Sequence, residues 1–223
     1  MLKQIRTTPG DVDKKQQIIY FVSCVVAGLL MGIYAKFAGV ISQGDGLENF
    51  IWLTGNLLSS FVPWIFLGVI ISIYSKKSTL AAINLFAFCC AMLLSYYAYS
   101  VIIVDYLAPK VVVGWSVVAL LCAPIGFLVW YARNDVRKRH GRVKTFGLLI
   151  SAAPIAFLVA TLVPTYRIYR VEGMFVGIPA AIALVFLLQK GKKERLIVSA
   201  ISLIVGILFG VIPTIEFVFG RIL

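Results

Sequence analysis

The run at residues 79–104, TLAAINLFAFCCAMLLSYYAYSVIIV, contains no charged side chain. Lys76 and Lys77 precede it, and Asp105 follows it directly. A helix needs about 20 predominantly apolar residues to cross the hydrocarbon core of a bilayer. The run therefore predicts a transmembrane helix.

The rest of the chain repeats this pattern. Of 223 residues, 61% are hydrophobic and 13% charged, and the mean hydropathy is +0.98. Soluble domains carry about a quarter charged residues, so this composition predicts lipid as the solvent. The seven predicted spans are residues 17–38, 50–74, 79–104, 111–132, 145–166, 173–189 and 196–219.

We therefore predict an all-α fold, a polytopic transmembrane helical bundle of seven spans. Residues 17–223 form its single transmembrane domain, and residues 1–16 form a cytoplasmic N-terminal segment. The sixth span is the shortest and contains Pro179. Without it the bundle has six spans and the C-terminus lies on the other side.

Charge placement favours seven spans with the N-terminus in the cytoplasm. Sixteen basic residues then fall in the inner segments and five in the outer ones. Lysine and arginine in short loops set the orientation of membrane proteins. The same rule explains the basic run at 133–144, RNDVRKRHGRVK, so no nucleic-acid partner is predicted. Contact with anionic lipid or a cytosolic protein is the alternative.

The inventory of reactive groups predicts a protein that is not an enzyme. His140 is the single histidine and lies in an inner loop, and no span holds paired carboxylates. No Walker loop, dinucleotide fingerprint or HExxH motif is present, so no metal or cofactor is predicted. The four cysteines, which all fall within spans, are interpreted as buried apolar residues: Cys24, Cys89, Cys90 and Cys122.

Small residues spaced about four apart predict close helix packing in three spans. The alternatives are packing within one chain and homodimerisation through one stripe. The stripes are Cys24, Gly28 and Gly32; Gly173, Gly177 and Ala181; and Ser202, Gly206 and Gly210.

Polar groups cluster where the third span ends, at 95–106, SYYAYSVIIVDY. In a helix, Ser95, Tyr96, Tyr99, Ser100 and Tyr106 share an arc of about 140°. With the span ending near residue 104, Tyr106 lies at the interface and Tyr96 roughly 12 Å deep. Interfacial anchors sit at headgroup level, so the deeper hydroxyls should face protein or water. We expect either hydrogen bonds between helices or the wall of a solute pocket.

Polar residues concentrate in the outer halves of the spans, which indicates a cavity open to the outside. The candidate ligand-binding residues are Tyr96, Tyr99, Ser100, Asn56, Trp52, Trp115 and Glu216. Glu216 is the acidic residue that hydropathy places inside a span. Its alternative role is to reach the interface or to pair with Lys36, Arg167, Arg170 or Arg221.

The second to fourth spans carry Asn56, Pro63-Trp64, Gly68, Tyr96-Tyr97, Trp115 and Gly126. This pattern resembles a family of small bacterial polytopic membrane proteins of unknown function. The resemblance implies a bacterial inner membrane and supplies no catalytic or binding residues.

Two functional hypotheses follow. The first is a small-solute transporter, or the membrane-embedded substrate-binding subunit of one, with an outward-facing pocket. The alternative is a non-catalytic accessory or assembly protein that binds partner helices. The partners expected besides the lipid bilayer are accordingly a small solute, a second copy of the chain or a partner membrane subunit.

Overall fold

The computed structural model describes residues 5–6, 13–42, 44–107, 109–134, 140–167 and 171–211, with the side chains of 59, 164–167, 171–173 and 211 left out. These ranges are helical and contain no strand. The helices are α1 (Lys14–Val40), α2 (Leu47–Ser59), α3 (Phe61–Tyr74), α4 (Ser78–Ile103), α5 (Pro109–Val129) with a 3-10 turn (Trp130–Ala132), α6 (Gly141–Arg167), α7 (Val171–Leu188) and α8 (Lys192–Val211).

Within the described residues, four helices are long and apolar enough to cross a membrane. They are α1, α4, α5 with its 3-10 turn, and the Gly141–Val163 part of α6. The pair α2 and α3 adds a fifth if it forms one bent span, and Met174–Leu188 is a shorter apolar helix. The predicted all-helical membrane protein is confirmed at this level, while seven spans and a cytoplasmic N-terminus remain predictions.

The predicted second span, 50–74, is two helices rather than one. α2 and α3 meet at a bend of 65° beside Ser60. Pro63 explains the break, because its ring would clash with the carbonyl of residue 59 and it has no N–H to donate. The Ser60 N–H instead donates to the Leu57 carbonyl at 3.0 Å.

Two of the small-residue stripes join parallel helices within the chain. On α1, Gly28 and Gly32 lie directly against the backbone carbonyls of Phe88 and Met92 on α4, with no room for a β-carbon. The later glycine on α1 contacts the later residue on α4, so residue numbers increase in the same direction along both helices. α1 and α4 therefore run parallel, as the first and third spans of an alternating bundle should.

The stripe of α8 packs against α6 in the same way. Ser202 Oγ donates to the Ala152 carbonyl at 3.1 Å. A β-carbon at Gly206 would lie 2.7 Å from the Ala156 carbonyl oxygen. The later residue on α8 contacts the later residue on α6, so α6 and α8 run parallel. α7 connects the end of α6 to the start of α8. These two stripes therefore pack within the chain.

Hydrogen bonds tie the C-terminal ends of α5 and α7 to Ser151 of α6. Asn134 Nδ2 donates to Ser151 Oγ at 3.1 Å, and Gln189 Nε2 donates to the same oxygen at 2.7 Å. All three side chains are buried. Nearby, Lys144 on α6 pairs with Glu194 on α8 at 3.2 Å. We call this end of the bundle the basic end. Its described basic residues are Arg6, Lys14, Lys15, Lys76, Lys77, Arg133, Arg142, Lys144, Lys190, Lys192, Lys193 and Arg195.

Arg6 ties the N-terminal segment to the basic end. Its guanidinium donates to the carbonyls of Ile73, at 2.9 Å, and Trp130, and lies 4.1 Å from the Trp130 ring centroid. Trp130 Nε1 in turn donates to the Ser75 carbonyl at 2.8 Å. These donors satisfy carbonyls that the end of α3 leaves without helical partners. Burial and the nearby Arg133 lower the pKa of Arg6 to about 10, so it remains a cation at neutral pH.

Candidate ligand-binding site

A cleft of about 320 Å³ lies at the end of the bundle opposite the basic end. It is bounded by the last turns of α1, the break between α2 and α3, the C-terminal half of α4 and the start of α5. We call it the aromatic cleft; its residues are Ala35, Gly39, Leu58, Trp64, Met92, Leu93, Tyr96, Tyr97 and Trp115.

The break between α2 and α3 supplies one wall. Trp64 stands in the first turn of α3, and its indole N–H donates to the Leu58 carbonyl at 2.7 Å. The ring of Phe61, at the first residue of α3, lies 5.7 Å from the ring of Trp115 on α5. The first contact ties α3 to the end of α2, and the second holds the broken segment against α5.

Tyr96 and Tyr97 form the α4 wall, and their hydroxyl groups differ in hydrogen bonding. Their rings stand perpendicular, with centroids 5.5 Å apart. Tyr97 donates to the Val111 carbonyl on α5 at 3.2 Å, so its hydroxyl is already used between helices. The Tyr96 hydroxyl has no hydrogen-bond partner among the described residues. Lys36 Nζ lies 5.3 Å from the Tyr96 ring centroid, within cation–π distance.

Of the predicted site residues, the structure brings Tyr96 and Trp115 together at the aromatic cleft. Tyr99 is half-buried and does not line it. Ser100 is buried, and its hydroxyl donates to the Tyr96 carbonyl of its own helix at 3.0 Å. Ser95 behaves likewise, donating to Met92 at 3.1 Å. Such local bonds let a serine face protein without reaching another helix.

Trp52 and Asn56 lie on α2, half-buried, and do not line the cleft. The prediction treated 50–74 as a single span, whereas the bend at Ser60 gives α2 a different direction from α3. Trp64, which follows the bend, occupies the cleft instead. Glu216 lies outside the described residues.

Sequence reasoning missed Tyr97, which falls outside the polar arc, and Trp64. It also missed Ala35 and Gly39, which extend the small-residue stripe of α1 toward the C-terminal end of that helix. A β-carbon at Gly39 would meet nothing within 4 Å, in contrast to the crowded Gly28. The sequence Ser59-Ser60 shortly before Pro63 was the available indication of a helix break.

The helix ends where the tyrosine stretch predicted it. α4 finishes at Ile103, and Asp105 adopts a positive φ of 51°. The N–H of Tyr106 then returns to the Ser100 carbonyl at 3.2 Å. Asp tolerates this left-handed conformation better than most residues, so Asp105 closes the helix.

No protein-family model, curated protein or solved structure matches this chain. The resemblance to small bacterial membrane proteins therefore stays a prediction. Within the described residues, no group of three or more His, Cys, Asp or Glu side chains is placed to hold a metal ion.

Proposed function

We propose that the protein binds a small solute in the aromatic cleft, as a small-solute transporter or as the membrane-embedded substrate-binding subunit of one. The observation that carries this proposal is a cleft built at a broken helix. Discontinuous helices line the binding sites of many transporters, because the interrupted backbone lets polar groups meet a solute within the membrane.

The chemistry of the cleft supports a small ligand. Ligand sites are mainly apolar and aromatic, with a few polar groups that fix orientation. Trp64, Trp115 and the two tyrosine rings supply the apolar surface. The Tyr96 hydroxyl and the nearby Lys36 ammonium are the polar groups, and about 320 Å³ suits a small metabolite.

We further propose seven spans, with the basic end in the cytoplasm of a bacterial cell and the cleft facing outward. The parallel packing of α6 and α8 supports this count, because α7 must then cross between them. Its 18 residues extend roughly 27 Å, near the thickness of the hydrocarbon core. The basic residues gathered at one end support the orientation.

The alternative, an accessory protein that binds partner helices, predicts that the polar face of α4 turns to lipid in the single chain. Tyr96, on that face, lines a cleft instead, which favours the solute hypothesis. Tyr99, half-buried, and Tyr106, exposed, lie on that face outside the cleft and would be the residues that contact a partner.

A thermal-shift screen of the purified protein against metabolite pools tests the proposal. A ligand at 100 times its Kd stabilises the folded state by about 2.7 kcal/mol. We expect Tyr96→Phe and Trp115→Ala to reduce the shift, and Tyr106→Phe, at the exposed end of α4, to retain it. The absence of any active pool, or a shift unchanged in both cleft variants, would refute a solute site here.

A further inference from the structure

A second cavity, of about 280 Å³, lies at the basic end between α1, the end of α3 and the first turn of α4. We call it the basal slot. Ile19, Tyr20 and Leu80 form its apolar wall, and Tyr74 and Lys76 stand beside them. The neighbouring surface of α1 exposes Ile18 and Val22. The slot is therefore continuous with apolar surface that a bilayer would cover.

One basic side chain lines the slot, and a second packs against one of its lining residues. Lys76 lines the slot, and the Arg133 guanidinium lies 4.9 Å from the Tyr74 ring centroid. Arg6 is close enough for the charge of Arg133 to act on it. Among the described residues, neither Lys76 nor Arg133 forms an ion pair; the pair found there, Lys144–Glu194, joins α6 and α8.

Arg6 and Arg133 are like charges close enough to interact, and an anion beside them would relieve their repulsion. Lys and Arg are the side chains that recognise phosphate, arginine through its fork of N–H groups. The apolar wall next to these cations distinguishes the slot from a site for a soluble anion. A molecule with a phosphate joined to a hydrocarbon chain matches both the basic side chains and the apolar wall.

We propose that the basal slot binds an anionic phospholipid, with its phosphate beside Lys76 and Arg133 and an acyl chain against Ile19 and Leu80. The bound lipid would join the start of α1 to the α3–α4 turn. The site is distinct from the aromatic cleft and does not depend on whether a solute binds there. It is also more specific than the general attraction of a basic surface to lipid, because it needs these side chains.

The test uses the purified full-length protein in detergent, titrated with phosphatidylglycerol or with phosphatidylcholine of the same chains, and read by native mass spectrometry and thermal shift. We expect one phosphatidylglycerol to bind preferentially and to raise the melting temperature. The double variant Lys76→Gln, Arg133→Gln should bind it roughly thirtyfold more weakly, since each basic residue near an anionic lipid contributes about fivefold. Melting without lipid and circular dichroism check that the variant is folded.

The matched control is Lys190→Gln, Lys192→Gln, which removes two exposed charges from the α7–α8 turn at the same end. It should bind phosphatidylglycerol as the unmodified protein does. An equal loss in this control would overturn the proposal in favour of general surface charge. Equal binding of both lipids would overturn it as well. If inorganic phosphate or a six-carbon phosphatidylglycerol reproduced the full shift, the slot would be an anion site and not a lipid site.

Discussion

The indole nitrogen of Trp64 donates a hydrogen bond of 2.7 Å to the carbonyl oxygen of Leu58, across the break between α2 and α3. The break frees carbonyls that an intact helix would satisfy. A backbone group without a partner in hydrocarbon costs several kcal/mol. Trp64 therefore both lines the cleft and satisfies a carbonyl that the break leaves without a helical partner.

Replacing Trp64 with Phe should destabilise the protein, because it keeps an aromatic ring and removes the donor. Leaving a buried carbonyl unsatisfied costs about 1–3 kcal/mol. Equilibrium unfolding in mixed detergent measures the change. Trp52→Phe, on α2 away from the cleft, is the control and should change stability little. Similar losses in both variants would show that the hydrogen bond is not the cause.

The two neighbouring tyrosines should separate stability from binding. Tyr97→Phe removes the hydrogen bond to Val111 and should lower stability by about 0.5–1.5 kcal/mol. Tyr96→Phe removes a hydroxyl without a described partner, so the free energy of unfolding without ligand should not change. The stabilisation that an active metabolite gives should decrease. Unfolding curves with and without that metabolite give both quantities. The reverse pattern would contradict the assignment of these hydroxyls.

Arg6→Met should destabilise the basic end, since it leaves the Ile73 and Trp130 carbonyls without a donor. Arg6→Lys should recover only part of the loss, because an ammonium lacks the planar fork of donors. With the pKa of Arg6 lowered only to about 10, its charge is complete from pH 6 to pH 8. The loss measured by unfolding should therefore be the same at both values. Arg142→Met, at an exposed site, is the control.

Gly206→Ala should be destabilising, because a β-carbon there meets the Ala156 carbonyl oxygen at 2.7 Å. Overpacking of this kind typically costs about 1–3 kcal/mol. Gly39→Ala is the matched control, since nothing lies within 4 Å of its β-carbon. Melting temperatures compare the two. A larger loss at Gly39 would contradict the helix contacts described above.

Cysteine labelling tests the number of spans. Arg221→Cys, at a position outside the described residues, should react with a membrane-impermeant maleimide in intact cells. Lys192→Cys should react only after the cytoplasmic face is opened. The four native cysteines fall within helices, and the unmodified protein gives the background. Labelling of residue 221 from the cytoplasm alone would refute the seven-span orientation.

The sequence allowed the helices to be predicted closely, because charge and hydropathy determine what enters lipid. The predicted 79–104 span corresponds to α4 at Ser78–Ile103. The break at Ser60 escaped prediction because hydropathy is insensitive to backbone direction. Pro63 lies in one of several apolar runs that contain a proline, and only packing decides which helix divides.

The residues of the candidate site were predicted only in part, because helical periodicity gives the direction of a side chain but not its hydrogen-bond partner. Helical periodicity placed Tyr96 on an inward face, which the structure agrees with. It also placed Ser100 there, yet periodicity cannot tell whether a hydroxyl bonds to its own helix. Tyr97 was set aside by its angle, but its long side chain reaches Val111 on α5. The contacts of Arg6 with Trp130 join residues 124 positions apart, and no local pattern could reveal them.

The parallel packing of α1 with α4 affects the order in which the protein is assembled. Gly28 and Gly32 meet residues of α4 that the ribosome adds about sixty positions later. At roughly 5–20 residues per second, the glycine face of α1 has no partner for several seconds of synthesis. α8 differs, since α6 is already in place when its own glycines emerge. α1 therefore stays without its helix partner until α4 has been synthesised, whereas α8 can pack against α6 as soon as it has been synthesised.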